Sequence, residues 1–169
     1  MMGAGVYSGA KKASRIVPNY LTLNGFLKSM MRKLLQRWFN LAPWPDAEYI
    51  IGADGQKFWV DIDTRNGRGL ILYIYSHGDW IGAVESLAED GDTLTLSDIV
   101  IFEQYRRLRG KGLGRKMLQH FLTQARQKGI SHITGFIQAH DGSTHDYLVE
   151  WYQRQGFDVE QDFISLKLD

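Results

Sequence analysis

The chain has no cysteine, only three prolines and no acidic residue before Asp46. Without cysteine there is no disulfide framework, no thiolate nucleophile and no cysteine zinc site. Nothing in that argues for secretion, and the chain is expected to be cytoplasmic. No apolar run reaches the ~20 residues needed to span a bilayer. The apolar positions near the start are too scattered to form the core of a secretory signal. The lack of early acids creates an asymmetry that the net charge of +1 conceals. Residues 1–45 hold seven Lys or Arg and no Asp or Glu, whereas the remainder holds thirteen against nineteen. The sequence therefore reads as a basic arm on a mildly acidic body.

What is present suffices for one domain with an extension. A hydrophobic fraction of 44% in 169 residues supports a sizeable core. Residues 1–24 read as a flexible basic leader. Positions 1–14 are rich in Gly, Ala, Ser and Lys without a period, and 15–23 offer a short strand weakened by Pro18 and Asn19. Over 25–41 the apolar residues Phe26, Leu27, Met30, Met31, Leu34, Leu35, Trp38 and Phe39 recur at helical spacing. Lys28, Arg32, Lys33 and Arg37 fall between them. Asn24 suits the N-cap, and Pro43 and Pro45 end the helix. Such a face most often packs on a core or a partner, although a basic amphipathic helix also suits an anionic membrane.

Strands are expected at 48–51 and 57–63 around an Asp54-Gly55 turn, then at 70–75 and 80–87. Residues 65–69 read as a loop, and Asp90-Gly91-Asp92 as the turn into the next strand. The organising stretch follows. Residues 93–102 read as a strand, 105–114 as a basic glycine-rich turn, and 113–129 as a helix. That helix carries Leu113, Met117, Leu118, Phe121, Leu122 and Ala125 on one face and stops at Gly129. A strand at 132–138, a polar loop at 140–146, a helix at 144–154 and strands at 157–159 and 163–168 complete the chain.

Six Lys or Arg and no acid lie between Tyr105 and Lys116. Glycines there let the backbone approach a ligand and aim successive N–H groups at it. The helix that follows adds its own free N–H groups and the positive end of its dipole. The physical reading is a site for a multiply charged anion, most simply a pyrophosphate; the bland one is a solvated basic loop. A phosphate loop of the nucleotidase type would need Lys then Ser or Thr, but Arg115-Lys116-Met117 follows Gly114. The dinucleotide fingerprint fails as well, since its last glycine would fall on Arg115 or Met117.

Arg109-Gly110-Lys111-Gly112-Leu113-Gly114 reads Arg-x-x-Gly-x-Gly from 109 to 114. That pattern resembles the coenzyme-A pyrophosphate loop of the GNAT superfamily of N-acetyltransferases. A second stretch, Tyr152-Gln153-Arg154-Gln155-Gly156-Phe157, resembles the family's C-terminal motif. Together they cover about residues 70–169 of a domain spanning 25–169. Two departures stand out. The turn at 103–108 is longer than usual and lacks the common proline, and His145 stands where an Asn commonly contacts the cofactor.

The resemblance implies an α/β (α+β) fold: a mixed, mostly antiparallel twisted sheet of about six or seven strands, flanked by helices and with a splayed central pair. It implies acetyl transfer from acetyl-CoA, as co-substrate, to a primary amine of a small molecule, peptide or protein. Backbone groups of Ile99, Val100 and Ile101 would bind the pantetheine arm. Amides of Arg109, Gly110, Lys111, Gly112, Leu113 and Gly114 would hold the pyrophosphate, with His145 in the Asn position. Tyr152 would face the departing thiolate; otherwise it is a half-buried aromatic. An attacking amine of pKa ~10.4 needs a base. Asp98 is first choice because it interrupts an apolar stretch, ahead of Glu85 and His140, although a solvent-facing strand acid is as ordinary a reading. The His-Asp pairs in 140–146 match no metal spacing, and no metal is expected.

Two rival classes stay open. One is a GNAT fold that holds acyl-CoA without catalysis. The other is a nucleic-acid or membrane-surface binder using the basic arm, although no nucleic-acid signature is visible. A homodimer is left open, and the acceptor amine is not written in the sequence.

Overall fold

The computed structural model describes residues 31–169 apart from 32, 33, 36, 44, 45, 65–68, 90 and 140–143. The leader over 1–24, the strand over 15–23, the N-cap at Asn24 and the start of the first helix lie outside the described residues. So do most of the 65–69 loop, Asp90 of its turn, and His140 with the front of its polar loop.

Among the described residues eight strands form one sheet, one or two more than the resemblance implies, and each falls on a stretch that the sequence marks as a strand. They are β1 (Tyr49–Ile51), β2 (Lys57–Asp63), β3 (Ile71–Ser76), β4 (Asp79–Ala88), β5 (Thr93–Ile101), β6 (His132–Phe136), β7 (Asp158–Glu160) and β8 (Phe163–Lys167). Their order is β1-β2-β3-β4-β5-β6-β8-β7, and only β5 and β6 run parallel. The two edge strands, β1 and β7, are short, three residues each, and lie where the sequence places strands at 48–51 and 157–159. A helix α1 (Leu113–Gln127) links β5 to β6, and α2 (His145–Arg154) precedes β7.

Alternation builds the sheet. Phe58 and Val60 on β2, Leu72 and Ile74 on β3, and Leu94 and Leu96 on β5 are all buried, while their neighbours are not. The core lies between this face and α1, whose Leu113, Met117, Leu118, Phe121, Leu122 and Ala125 are the buried six. Burying a side chain such as Phe121 stabilises by about 1.5–3 kcal/mol. Leu148, Val149, Trp151 and Tyr152 of α2 pack against the same core while half-buried.

Three features position the site. First, β5 pairs with β6 only over Thr93–Leu96. Its second half, from Ser97 on, is held by β4 alone, so the two parallel strands part. Second, the parting starts at a β-bulge: Glu85 faces Asp98 and Ser86 faces Leu96, leaving Ser97 without a partner on β4. Bulges bend a strand and sharpen its twist. Ser97 and Asp98 are both exposed. Third, backbones approach closely on either side. A Cβ on Gly82 would lie 2.3 Å from the Val100 carbonyl oxygen, and one on Gly135 would lie 2.9 Å from that of Leu96. Buried Ser86 closes the inner end of β4, donating to the Leu70 carbonyl at 2.7 Å and accepting from its N–H at 3.1 Å.

Met31, Leu34, Leu35 and residues 37–39 are helical, in keeping with the spacing. Their apolar side chains are exposed, so the expected packing on a core does not occur among the described residues.

Candidate active site

A short 3-10 helix, Glu103–Leu108, leads from β5 to the glycine turn. The Arg109 amide closes it by donating to the Arg106 carbonyl, 2.9 Å away, and is therefore not free to meet a ligand as the resemblance suggests. Its side chain instead braces the turn. Nη2 donates to the Ile101 carbonyl at 2.9 Å and pairs with Glu103 at 3.2 Å. Ile101 thus spends an acceptor expected for the pantetheine arm on fixing the loop.

Gly110 and Gly112 both have φ above +70°, a region that side chains disfavour. The next main-chain hydrogen bond of α1 is Lys116 N–H to Gly112. Among the described residues, the amides from Gly110 to Arg115 donate to no protein acceptor. Helix starts are normally closed by a Ser, Thr, Asp or Asn side chain, often with an acid in the first turn. Here the N-cap is Gly112, no side chain caps it and no acid follows. The positive end of α1 is left for an external anion.

The surrounding cations divide. Arg106 lies 3.3 Å from Glu103, Lys111 lies 3.9 Å from Asp54, and Lys116 Nζ donates to the Ile51 carbonyl. The last two tie the loop and α1 to the β1–β2 hairpin. His120 and Glu48 add to that seam, at 2.8 Å but off the line of a hydrogen bond. Arg107 and Arg115 are exposed and make no ion pair among the described residues, so they are available to an anion.

The anion site adjoins the gap. Gly114, in the first turn of α1, lies under the parted half of β5: a Cβ there would sit 3.9 Å from Ile99 Cγ2. Ile99, Val100 and Ile101 are paired on one side with Val84, Ala83 and Gly82, and β6 does not pair with their other side.

Tyr152 of α2 packs on the core edge-on to Trp151 and Phe157, with centroids at 4.9 and 5.5 Å. Burial pushes its phenol up to about 12, and the Asp98 carboxylate adds to the rise. The fold therefore brings Tyr152 and Asp98 together from α2 and β5. Asp98 also faces Glu85 directly on β4. Both acids are exposed, so water reaches them.

His145 opens α2, behind Thr144, whose hydroxyl accepts from the Tyr147 N–H. Its Nε2 lies 2.7 Å from Asp162 and its Nδ1 lies 3.8 Å from Asp146. The ring is oriented by acids of its own chain. Glu103 and Asp162 are the partners that sequence reading missed. Glu103 sits just ahead of the basic run, but Asp162 is 17 residues from His145 and carries no local signal.

Tyr105, beside the loop, also has a raised phenol. Burial contributes most, then the charge of Asp79 and a hydrogen bond to it, opposed by Arg37 and Arg107. A separate hollow of about 350 Å³ lies along β7 and β8, between Gln153, Phe157 and Phe163. It includes none of the residues proposed for the anion site or the gap. Among the described residues no three His, Asp or Glu cluster as a metal ion requires, and no helix is long and apolar enough to cross a membrane.

A family model described as the acetyltransferase (GNAT) family matches residues 28–157. Solved structures with the same fold include the ribosomal-protein-S18-alanine N-acetyltransferase of Escherichia coli. It is 17% identical, with TM-score 0.50, 60% of this chain covered and 70% of that one. A candidate GNAT acetyltransferase from Desulfovibrio desulfuricans is 16% identical, with TM-score 0.52 and coverages of 62% and 71%. A candidate acyl-CoA N-acyltransferase from Klebsiella pneumoniae is 15% identical, with TM-score 0.50 and coverages of 93% and 94%. A search of curated proteins gives no match.

Proposed function

Because the chain belongs to the GNAT family of acetyltransferases, we propose that it is an acetyl-CoA-dependent N-acetyltransferase acting on a primary amine. When bound, acetyl-CoA supplies the acetyl group as a thioester that an amine can attack. The observation that carries the reading is the run of unpaired amides from Gly110 to Arg115, set against the parted half of β5 that also carries Asp98, the acid that acts on Tyr152.

The amides and the open end of α1 hold the pyrophosphate, with Arg107 and Arg115 supplying the opposite charge. The free edge of Ile99 and Val100 receives the pantetheine arm as one strand receives another. The amine enters on the side of Asp98 and Glu85, whose exposed carboxylates attract an ammonium group. Asp98, directly or through a water, takes the proton that the amine must lose.

Tyr152 faces the leaving sulfur. A phenol near pKa 12 opposite a thiol of ~8.5 would have to give up its proton uphill by about 5 kcal/mol. Tyr152 therefore donates a hydrogen bond to the thiolate and keeps its proton. Burial favours that role, because the phenol stays neutral across the working pH range. His145, held by Asp162, steadies the start of α2 more than it reaches toward the cofactor.

The test is release of free coenzyme-A thiol from acetyl-CoA with a panel of small amines, N-terminal peptides and lysine peptides, next to calorimetric titration of coenzyme A. Amine-dependent thiol release supports the reading. Tight coenzyme-A binding without turnover on any amine would leave an acyl-CoA-binding module. No coenzyme-A binding would remove the assignment altogether.

A further inference from the structure

The helices α1 and α2 pack on one face of the sheet, that of Leu72, Ile74 and Leu96. Alternation turns Tyr73 and Tyr75 of β3 to the other face. Trp80 of β4 joins them there, 46% exposed, its ring centre 4.3 Å from that of Tyr73 and 4.9 Å from that of Tyr75. On β2, Asp61 stands directly opposite Tyr73, and its Oδ2 accepts from the Tyr75 hydroxyl at 3.3 Å. Three rings and a carboxylate make a corner that the acetyl-transfer reading leaves unused.

That corner shares its face with the acids beside the gap. Tyr73 faces Ala83, and Ala83 faces Val100; two residues along the same strands, Glu85 faces Asp98. Two strand spacings and two residues separate Tyr73 from Asp98, roughly 12 Å between their backbones.

Both ends of that span attract positive charge. Like charges directly opposite on paired strands repel, and among the described residues no base pairs with Glu85, Asp98 or Asp61. An ammonium group arriving from outside relieves the repulsion. Aromatic faces attract the same group, and the chain shows it on this strip of rings. Lys57 Nζ sits 4.0 Å from the centre of the Tyr49 ring and 5.0 Å from that of Trp59, whose strand partner is Tyr75. At the other end of the strip, among the described residues, no cation lies over Trp80.

We propose that the acceptor is a linear amine with a second positive charge. Its reacting nitrogen lies at Asp98 and Glu85, and its second ammonium lies in the corner of Tyr73, Tyr75 and Trp80 with Asp61 as the opposite charge. The proposal rests on the acetyl-transfer reading and narrows its acceptor, with Trp80 and Asp61 as specificity-determining residues. At the reacting nitrogen, the bond to the acetyl carbon forms as the carbon–sulfur bond breaks. The amine proton goes to Asp98 and coenzyme A leaves as the thiolate, while the second ammonium keeps its proton.

The test measures thiol release by the full chain with acetyl-CoA and α,ω-diamines from ethylenediamine to dodecanediamine, each beside the monoamine of the same length. For the long diamines, kcat/KM should exceed that of the matched monoamine at least about tenfold. The short diamines should show no such gain, because they cannot reach both ends. Trp80→Leu and Asp61→Asn should each lower the ratio about threefold or more, and high salt should lower it in the parent. A ratio near one for the long diamines, an equal gain for the short ones, or a ratio that both variants leave intact overturns the proposal. If Trp80→Leu costs the fold, the isosteric Asp61→Asn decides alone. Failure of every amine to release thiol counts against the acetyl-transfer reading instead. Calorimetric titration of the same amines into the chain with coenzyme A then decides the corner. Tighter binding of the long diamine than of its monoamine, lost in Asp61→Asn, supports it, and equal binding overturns it.

Discussion

The Arg109 guanidinium donates a 2.9 Å hydrogen bond to the Ile101 carbonyl, fastening the glycine turn to the last residue of the strand that leaves β6. The anion site and the gap are thereby tied to each other through one side chain. Substituting Arg109→Gln removes that reach and the pairing with Glu103. A charged hydrogen bond is worth about 1.5–3 kcal/mol. The Michaelis constant for acetyl-CoA should rise about tenfold or more, with kcat changed less than about threefold. Steady-state kinetics at saturating amine would check this, and a fall confined to kcat would contradict it.

The glycines of the turn should respond differently from one another. Gly112 has φ +74° and open space around it, so Gly112→Ala meets backbone strain alone, about 1–2 kcal/mol. It should lower both the melting temperature and coenzyme-A affinity. Gly114 is helical, and an added Cβ makes only ordinary contact with Ile99. Gly114→Ala should keep or raise stability, by up to ~1 kcal/mol of helix propensity, yet weaken coenzyme-A binding by crowding the amides. Calorimetry paired with thermal melts separates the two.

Tyr152→Phe should lower kcat by about ten- to a hundredfold, as loss of one hydrogen bond to a developing charge does, and leave acetyl-CoA affinity almost untouched. Rapid-quench turnover and equilibrium binding on the same preparation would read both.

The same residue sets an alkaline limit on stability. The folded chain keeps the Tyr152 proton to about pH 12, whereas the unfolded phenol releases it near ~10. Between those values the folded state binds more protons. Its stabilising contribution is complete below about pH 10 and is lost as pH rises through that window. Urea melts at about pH 9 and about pH 11 should show a larger fall for the parent chain than for Tyr152→Phe, and equal falls would argue that the phenol is not held by the fold.

Gly82→Ala tests the seam behind the gap. A Cβ there would stand 2.3 Å from the Val100 oxygen, a main-chain atom that cannot swing aside. The two strands must separate, at a cost of about 1–3 kcal/mol or more. The urea midpoint should drop, with acetyl transfer falling further than stability alone explains because β5 is displaced.

Much of this was legible in the chain because it is written locally. The apolar period of α1 named all six residues that the helix buries, and two glycines of the turn ahead of it, Gly110 and Gly112, stand where the backbone takes positive φ. What could not be read depends on residues far apart in sequence. Lys116 reaches the Ile51 carbonyl across 65 positions, and His145 meets Asp162 across 17. The basic run looked uniformly free, yet Glu103 and Asp54 engage Arg106, Arg109 and Lys111. Helical spacing agrees with the helical state of Met31, Leu34, Leu35 and residues 37–39, but their exposure could not be read from it, because periodicity says which side chains share a stripe and nothing about whether a surface meets it.

Ser97 acts as a phase change in a strand of period two. Residues 94 and 96 point inward, and uninterrupted counting would send Asp98 inward with them and turn Ile99 and Ile101 to water. One unpaired residue reverses the count, so a carboxylate emerges beside Glu85 while both isoleucines return to the interior. Deleting that single serine would leave Asp98 facing out and both isoleucines facing in, and would remove only the bulge that bends β5 where it leaves β6. What the extra residue supplies is a change of direction, so its loss should straighten β5 toward β6 and narrow the opening between them.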